Sequence, residues 1–91
     1  MRIHELKTWP QFYEPIETGK KRFELRNDDR GFETGDILHL REYDNTLGKY
    51  TDRSMFARID FLMRRWPEMG LKDGYCIMSI TKVDFKEVSN D

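Results

Sequence analysis

Lys21, Glu24 and Arg26 are the residues of this sequence whose types and spacing best suit chemistry. They stand in the string Gly19-Lys20-Lys21-Arg22-Phe23-Glu24-Leu25-Arg26, followed closely by Asn27-Asp28-Asp29-Arg30 and Gly35-Asp36. Lys21, Arg26 and Arg30 could present fixed cations to a phosphate, and the planar guanidinium fork suits bidentate recognition. Glu24 is the informative member. A carboxylate among such cations weakens phosphate affinity unless it orients them or accepts hydrogen bonds from the edge of an unstacked base. Glu24 is assigned that orienting or recognition role. The competing explanation is a solvated strand face on which Glu24 pairs with Arg22 and Arg26, an arrangement worth roughly 0 to 1 kcal/mol.

His4 and Lys7 could form the opposite wall of such a site, with Trp9 as a stacking platform for a base. Against this, Trp9 reads as core at a helix start, and His4 reads equally well as a hydrogen-bonded structural histidine. Arg64-Arg65-Trp66 is a second basic and aromatic group, more simply explained as an edge strand blunted by charge. Two histidines, one cysteine and scattered acids offer no metal-ligand spacing. Neither a cofactor nor a metal is expected, and no phosphate-cradling glycine loop or Ser/His/Asp set is visible.

The elements that must position these residues follow from periodicity. A strand is predicted over 2–7, then a helix over 8–18 capped by Thr8, with Trp9, Phe12, Tyr13 and Ile16 on one face, Pro15 as a kink and Gly19 as its end. Over 21–27 strict alternation predicts a half-buried strand, with Phe23 and Leu25 toward the core and Arg22, Glu24 and Arg26 on the other face. In an ideal strand Lys21 and Glu24 point to opposite faces. They can share a site only if Lys21 still belongs to the turn after Gly19, or a bulge intervenes.

Residues 27–34 form a polar loop with Phe32 as its only large apolar anchor. A strand follows over 37–43, where Leu38 and Leu40 share a face that Glu42 continues. A hairpin loop over 44–49 leads to the start of the return at Thr51–Arg53 and to a long strand over 55–65, with Ala57, Ile59, Phe61 and Met63 on one face. The last strand, 75–83, is apolar enough to be central, and 86–91 is expected to fray. The result is an α+β fold with one N-terminal helix and a mostly antiparallel sheet of five or six strands, curled into a small barrel that protects its edges.

Ninety-one residues make a single domain, 1–91. Sixteen basic and 17 acidic residues give a net charge of -1, which excludes the global positive field of strong nonspecific nucleic-acid binders. Any anion must therefore be bound locally. Cys76, alone in an apolar run, reads as a buried reduced thiol, which fits the cytoplasm. No apolar run approaches the ~20 residues of a membrane span, and no signal peptide is visible.

With Gly19-x-Lys21-x-x-Glu24-x-Arg26 and Gly35-Asp36 in place, the sequence resembles the ASCH superfamily of PUA-like β-barrels, and within it a small bacterial and phage family of uncharacterised RNA-binding-like proteins. His4-Glu5-Leu6-Lys7, Phe12, Gly19-Lys20-Lys21, Phe23-Glu24-Leu25-Arg26, Asn27-Asp28-Asp29-Arg30, Phe32, Leu40-Arg41-Glu42-Tyr43 and Tyr50-Thr51 carry the resemblance. It implies a cleft between barrel and helix lined by Lys21, Glu24 and Arg26, and binding of RNA or a nucleotide, with His4, Lys7 and Arg30 at the margins.

Some small members of the superfamily look like amidohydrolases of modified nucleosides, with a lysine, a threonine three residues later and a separate glutamate. Lys21 matches, but Glu24 stands at the threonine position, and Glu42 is only a parity-based second acid. Binding without catalysis is therefore preferred to hydrolysis through Lys21, Glu24 and Glu42. A protein-binding accessory module of a phage or mobile element is the third class. The deciding observation is whether Lys21, Glu24 and Arg26 converge on one concave pocket.

Overall fold

A computed structural model describes residues 1–89. Strand β1 (Ile3–Thr8) turns His4, Leu6 and Thr8 inward, and helix α1 (Pro10–Glu17) follows at once. Trp9, not Thr8, occupies the cap position: its carbonyl accepts the Phe12 and Tyr13 N–H groups, and Pro10 opens the helix, where a missing donor costs nothing. Thr8 instead ends the strand, its hydroxyl bonded to the Leu6 carbonyl. Of the predicted apolar face only Tyr13 and Ile16 are buried.

Gly19, with φ +83°, ends the helix, and the Lys20 and Lys21 N–H groups both bond to the Pro15 carbonyl. Strands β2 (Phe23–Asn27), β3 (Ile37–Asp44), β4 (Lys49–Arg64) and β5 (Tyr75–Val83) complete one sheet in the order β1-β3-β4-β5-β2. Only the β1–β3 pair is parallel. The expected closed barrel is not formed. The sheet curls into a half-barrel whose free edges are β1 and β2.

Two irregularities reset the inward faces. Around Asp60 the β4–β5 register shifts, so Phe61 points out, 62% exposed, and Leu62 packs on the core instead. This corrects the uninterrupted alternation expected for 55–65. Between the pairs Arg41–Ser54 and Tyr43–Tyr50, β3 places only Glu42 opposite Thr51, Asp52 and Arg53 of β4. Such bulges re-aim side chains, and here they bring Thr51 and Arg53 onto Glu42.

The chain end expected to fray over 86–91 is helical as α2 (Phe85–Ser89), with Val88 buried; residues 90 and 91 lie outside the described range. β4 lies between β3 and β5, so Arg64 does not blunt an edge. Its guanidinium pairs with the Asp28 carboxylate and bonds the Phe32 carbonyl at 2.8 Å, fastening the loop between β2 and β3. No helix among the described residues is long and apolar enough to cross a membrane.

Candidate functional site: the slot between two free edges

The core face of β5 decides the polarity of β2. Cys76 and Met78 point inward and are fully buried, and the antiparallel register sets Arg26 opposite Cys76 and Glu24 opposite Met78. The charged residues of β2 therefore face in, and Phe23 and Leu25 face out. This reverses the sequence expectation, which placed Phe23 and Leu25 in the core. Local alternation fixes the period of a strand but not which half of it the sheet accepts.

Glu24, only 2% exposed, accepts a hydrogen bond from Lys21 Nζ on Oε1 at 2.6 Å and one from Arg26 Nε on Oε2 at 2.7 Å. Lys21 Nζ also donates to the Phe23 carbonyl at 2.8 Å, and Arg26 Nη2 reaches the Thr8 hydroxyl across the gap at 3.3 Å. The parity conflict is resolved by the turn: Lys21 lies outside β2, and the backbone after Gly19 lets its side chain reach Glu24. Lys21, Glu24 and Arg26 thus converge.

They line a concave slot of about 490 Å³ together with Lys7, Trp9, Phe12, Phe23 and Leu25, within the range of small-ligand sites. Trp9 is 45% exposed and its ring stacks beside that of Phe12 at 6.3 Å, so it is a wall of the slot, not core. Lys21 Nζ lies 4.8 Å from the Phe23 ring centre and 5.7 Å from that of Phe12. The slot combines a buried carboxylate clamped by two cations with aromatic walls on either side. Phe12, Phe23 and Leu25 were not foreseen as walls; the signal available was the clustering of aromatic residues close to the charged string.

Other expected members lie elsewhere. His4 is buried against Phe32, ring centres 4.7 Å apart, and its Nε2 is 2.9 Å from Asp36 Oδ2; it is structural and does not line the slot. Arg30 donates to the Glu5 carbonyl at 2.7 Å, covering part of the β1 edge. Glu42 is inward and buried as parity predicts, but its carboxylate accepts from Thr51 Oγ1 at 2.9 Å and faces Arg53 Nε at 3.7 Å, outside the slot lining. The trio Lys21, Glu24 and Glu42 is therefore not assembled in the slot. Of the marginal residues, Lys7 alone belongs to it.

Asp36 explains the Gly35-Asp36 pair structurally. Burial pushes its carboxyl up, but hydrogen bonds from His4 and from the Arg2 and Glu33 N–H groups outweigh burial and hold it below the ordinary 3.8. A depressed carboxyl stabilises the fold above its unfolded pKa, and that contribution disappears as pH falls through the folded value. Asp36→Asn is expected to lower stability near neutrality by about 2 kcal/mol. Urea unfolding at stepped pH should show wild type and variant converging at the acid end; a gap that persists there would contradict the assignment.

Burial likewise raises the Cys76 thiol, so it is held neutral and unreactive.

A family model described as a domain of unknown function (DUF3850) matches residues 3–80. The chain is also similar to an uncharacterised 12.9 kDa protein in the GpA 3' region of Escherichia phage P2, 41% identical over 58 residues, which are 64% of this chain. The match spans about half, 51%, of that phage protein. The family match runs from the first residue of β1 into β5 and takes in every residue of the slot. The chain belongs to the DUF3850 family.

Proposed function

We propose that the protein is an ASCH-type, PUA-like module that binds RNA or a nucleotide in the slot between β1 and β2. The observation that carries this reading is the convergence of Lys21, Glu24 and Arg26 beneath the exposed rings of Trp9, Phe12 and Phe23. These exposed rings offer faces on which a base can stack, and such stacking tolerates any base identity. Glu24 fixes both cations at the floor of the slot. The G-x-K-x-x-E-x-R string, whose lysine, glutamate and arginine all line the slot, supports the superfamily assignment. The buried neutral thiol of Cys76 is at home in a reducing cytoplasm. With Glu42 committed to Thr51 and Arg53, the geometry favours binding over hydrolysis.

Equilibrium binding of nucleoside monophosphates and short single-stranded RNA tests the reading. Trp9→Ala removes an exposed ring and is expected to weaken binding by roughly 5- to 150-fold, the equivalent of about 1–3 kcal/mol of stacking, without altering the melting temperature. The logarithmic salt slope should be shallow, about −1 to −2, because few phosphates are met. Unchanged affinity in Trp9→Ala would refute the slot as the binding site.

A further inference from the structure

We propose that the ligand is a single strand of RNA at least two nucleotides long, which leaves the slot over Lys7 and continues across the outer face of β3 and β4 onto Tyr50 and Arg41. The proposal rests on the nucleotide-binding reading of the slot and adds a second binding station to it.

The slot by itself is poor in unspent positive charge. Both of its inner cations are committed to Glu24. Lys7, at the rim, has no carboxylate partner among the described residues. Its ammonium instead lies over the Tyr43 ring at 4.3 Å and 5.8 Å from the Tyr50 ring centre. A phosphate leaving the slot would meet this free cation first.

The row continues beyond Lys7. Tyr43 and Tyr50, paired across β3 and β4, meet edge to face at 5.1 Å, and the Arg41 guanidinium lies 4.0 Å above the Tyr50 ring. Glu5 Oε2, at 3.2 Å from Arg41 Nη1, holds that guanidinium in place. Cross-strand aromatic pairs do stabilise sheets, but that role does not require a cation spread over the outer face of Tyr50, which remains 39% exposed.

The sequence of parts is aromatic slot, free ammonium, tyrosine pair and guanidinium plane. Unstacked bases lie on aromatic rings and on guanidinium planes, and phosphates between them need isolated cations. A duplex offers no free base faces, and the net charge of -1 gives it no general attraction. The row therefore fits a single strand better than a helix.

The test compares the four nucleoside monophosphates with mixed-sequence oligoribonucleotides of two and four nucleotides, on wild type, Tyr50→Ala, Arg41→Ala and Lys7→Gln. Tyr50 and Arg41 are outward on the sheet, and melting curves check that each variant is folded. Lengthening from one to four nucleotides should tighten binding to wild type by about tenfold or more. Tyr50→Ala and Arg41→Ala should lose most of this gain while binding monophosphates as wild type does, and Lys7→Gln should flatten the salt slope by about 0.7.

Equal affinity for one and four nucleotides would overturn the track and leave the slot reading intact. So would a length gain that survives in both outer-face variants. Absence of binding at every length would sink the slot reading and the track together. A partner protein retained after nuclease treatment by wild type, but not by Tyr50→Ala, would overturn the track by assigning this face to protein.

Discussion

Glu24→Ala is expected to destabilise the protein by about 3 kcal/mol, the low end of the cost of removing one partner from a buried ion pair. Lys21 and Arg26 are partly exposed, 16% and 25% by side chain, so water recovers some of the loss. Glu24→Gln should cost less, since it keeps the shape and one acceptor. Both should lose ligand, because the two cations no longer share a fixed position. A Lys21→Met, Glu24→Leu, Arg26→Met triple variant separates stability from function. Apolar replacement of a whole buried ionic group is often neutral, so its urea midpoint should return close to wild type while binding stays absent. If Glu24→Ala unfolds at the wild-type urea concentration, the three charges are only a solvated strand face and the slot has no structural claim to them.

Phe32→Ala is expected to have the largest effect on stability, about 3–5 kcal/mol. Phe32 is 1% exposed and is part of the main core cluster, although it sits in the loop between β2 and β3. Its ring supports His4, and its carbonyl accepts from Arg64. For a chain of this size the melting temperature should fall by roughly 15–25 °C, a large part of the total stability of a small domain. Phe32→Leu, which nearly conserves volume, should cost about 1 kcal/mol. The loop does not line the slot, so folded Phe32→Leu should bind ligand as wild type does. A Phe32→Ala melting point within about 5 °C of wild type would show that the loop is not part of the core.

Much of this architecture was legible in the residues. Each strand, the short helix and its end at Gly19 follow from period and punctuation, and the inward direction of Glu42 follows from counting along β3. The demand that Lys21 belong to the turn also follows from counting. What local pattern could not supply was any fact set by a partner far along the chain. The inward face of β2 is chosen by Cys76 and Met78 of β5, and the outward turn of Phe61 by a register shift against the same strand. Trp9 is apolar and at helical spacing, yet the half-barrel leaves it at an opening. His4 has the chemistry of a site residue, but Asp36, 32 positions later, claims it.

The strand order also dates the slot within the life of the chain. β1 pairs with β3, whereas the backbone partner of β2 is β5, with Phe23 opposite Ser79. During synthesis β2 emerges long before the strand that orients it. Until β5 arrives, Glu24 has no reason to face inward, and Phe23 and Leu25 are free to compete for the growing core. The slot is thus a late product of folding, built from early sequence but withheld until β5 has been made.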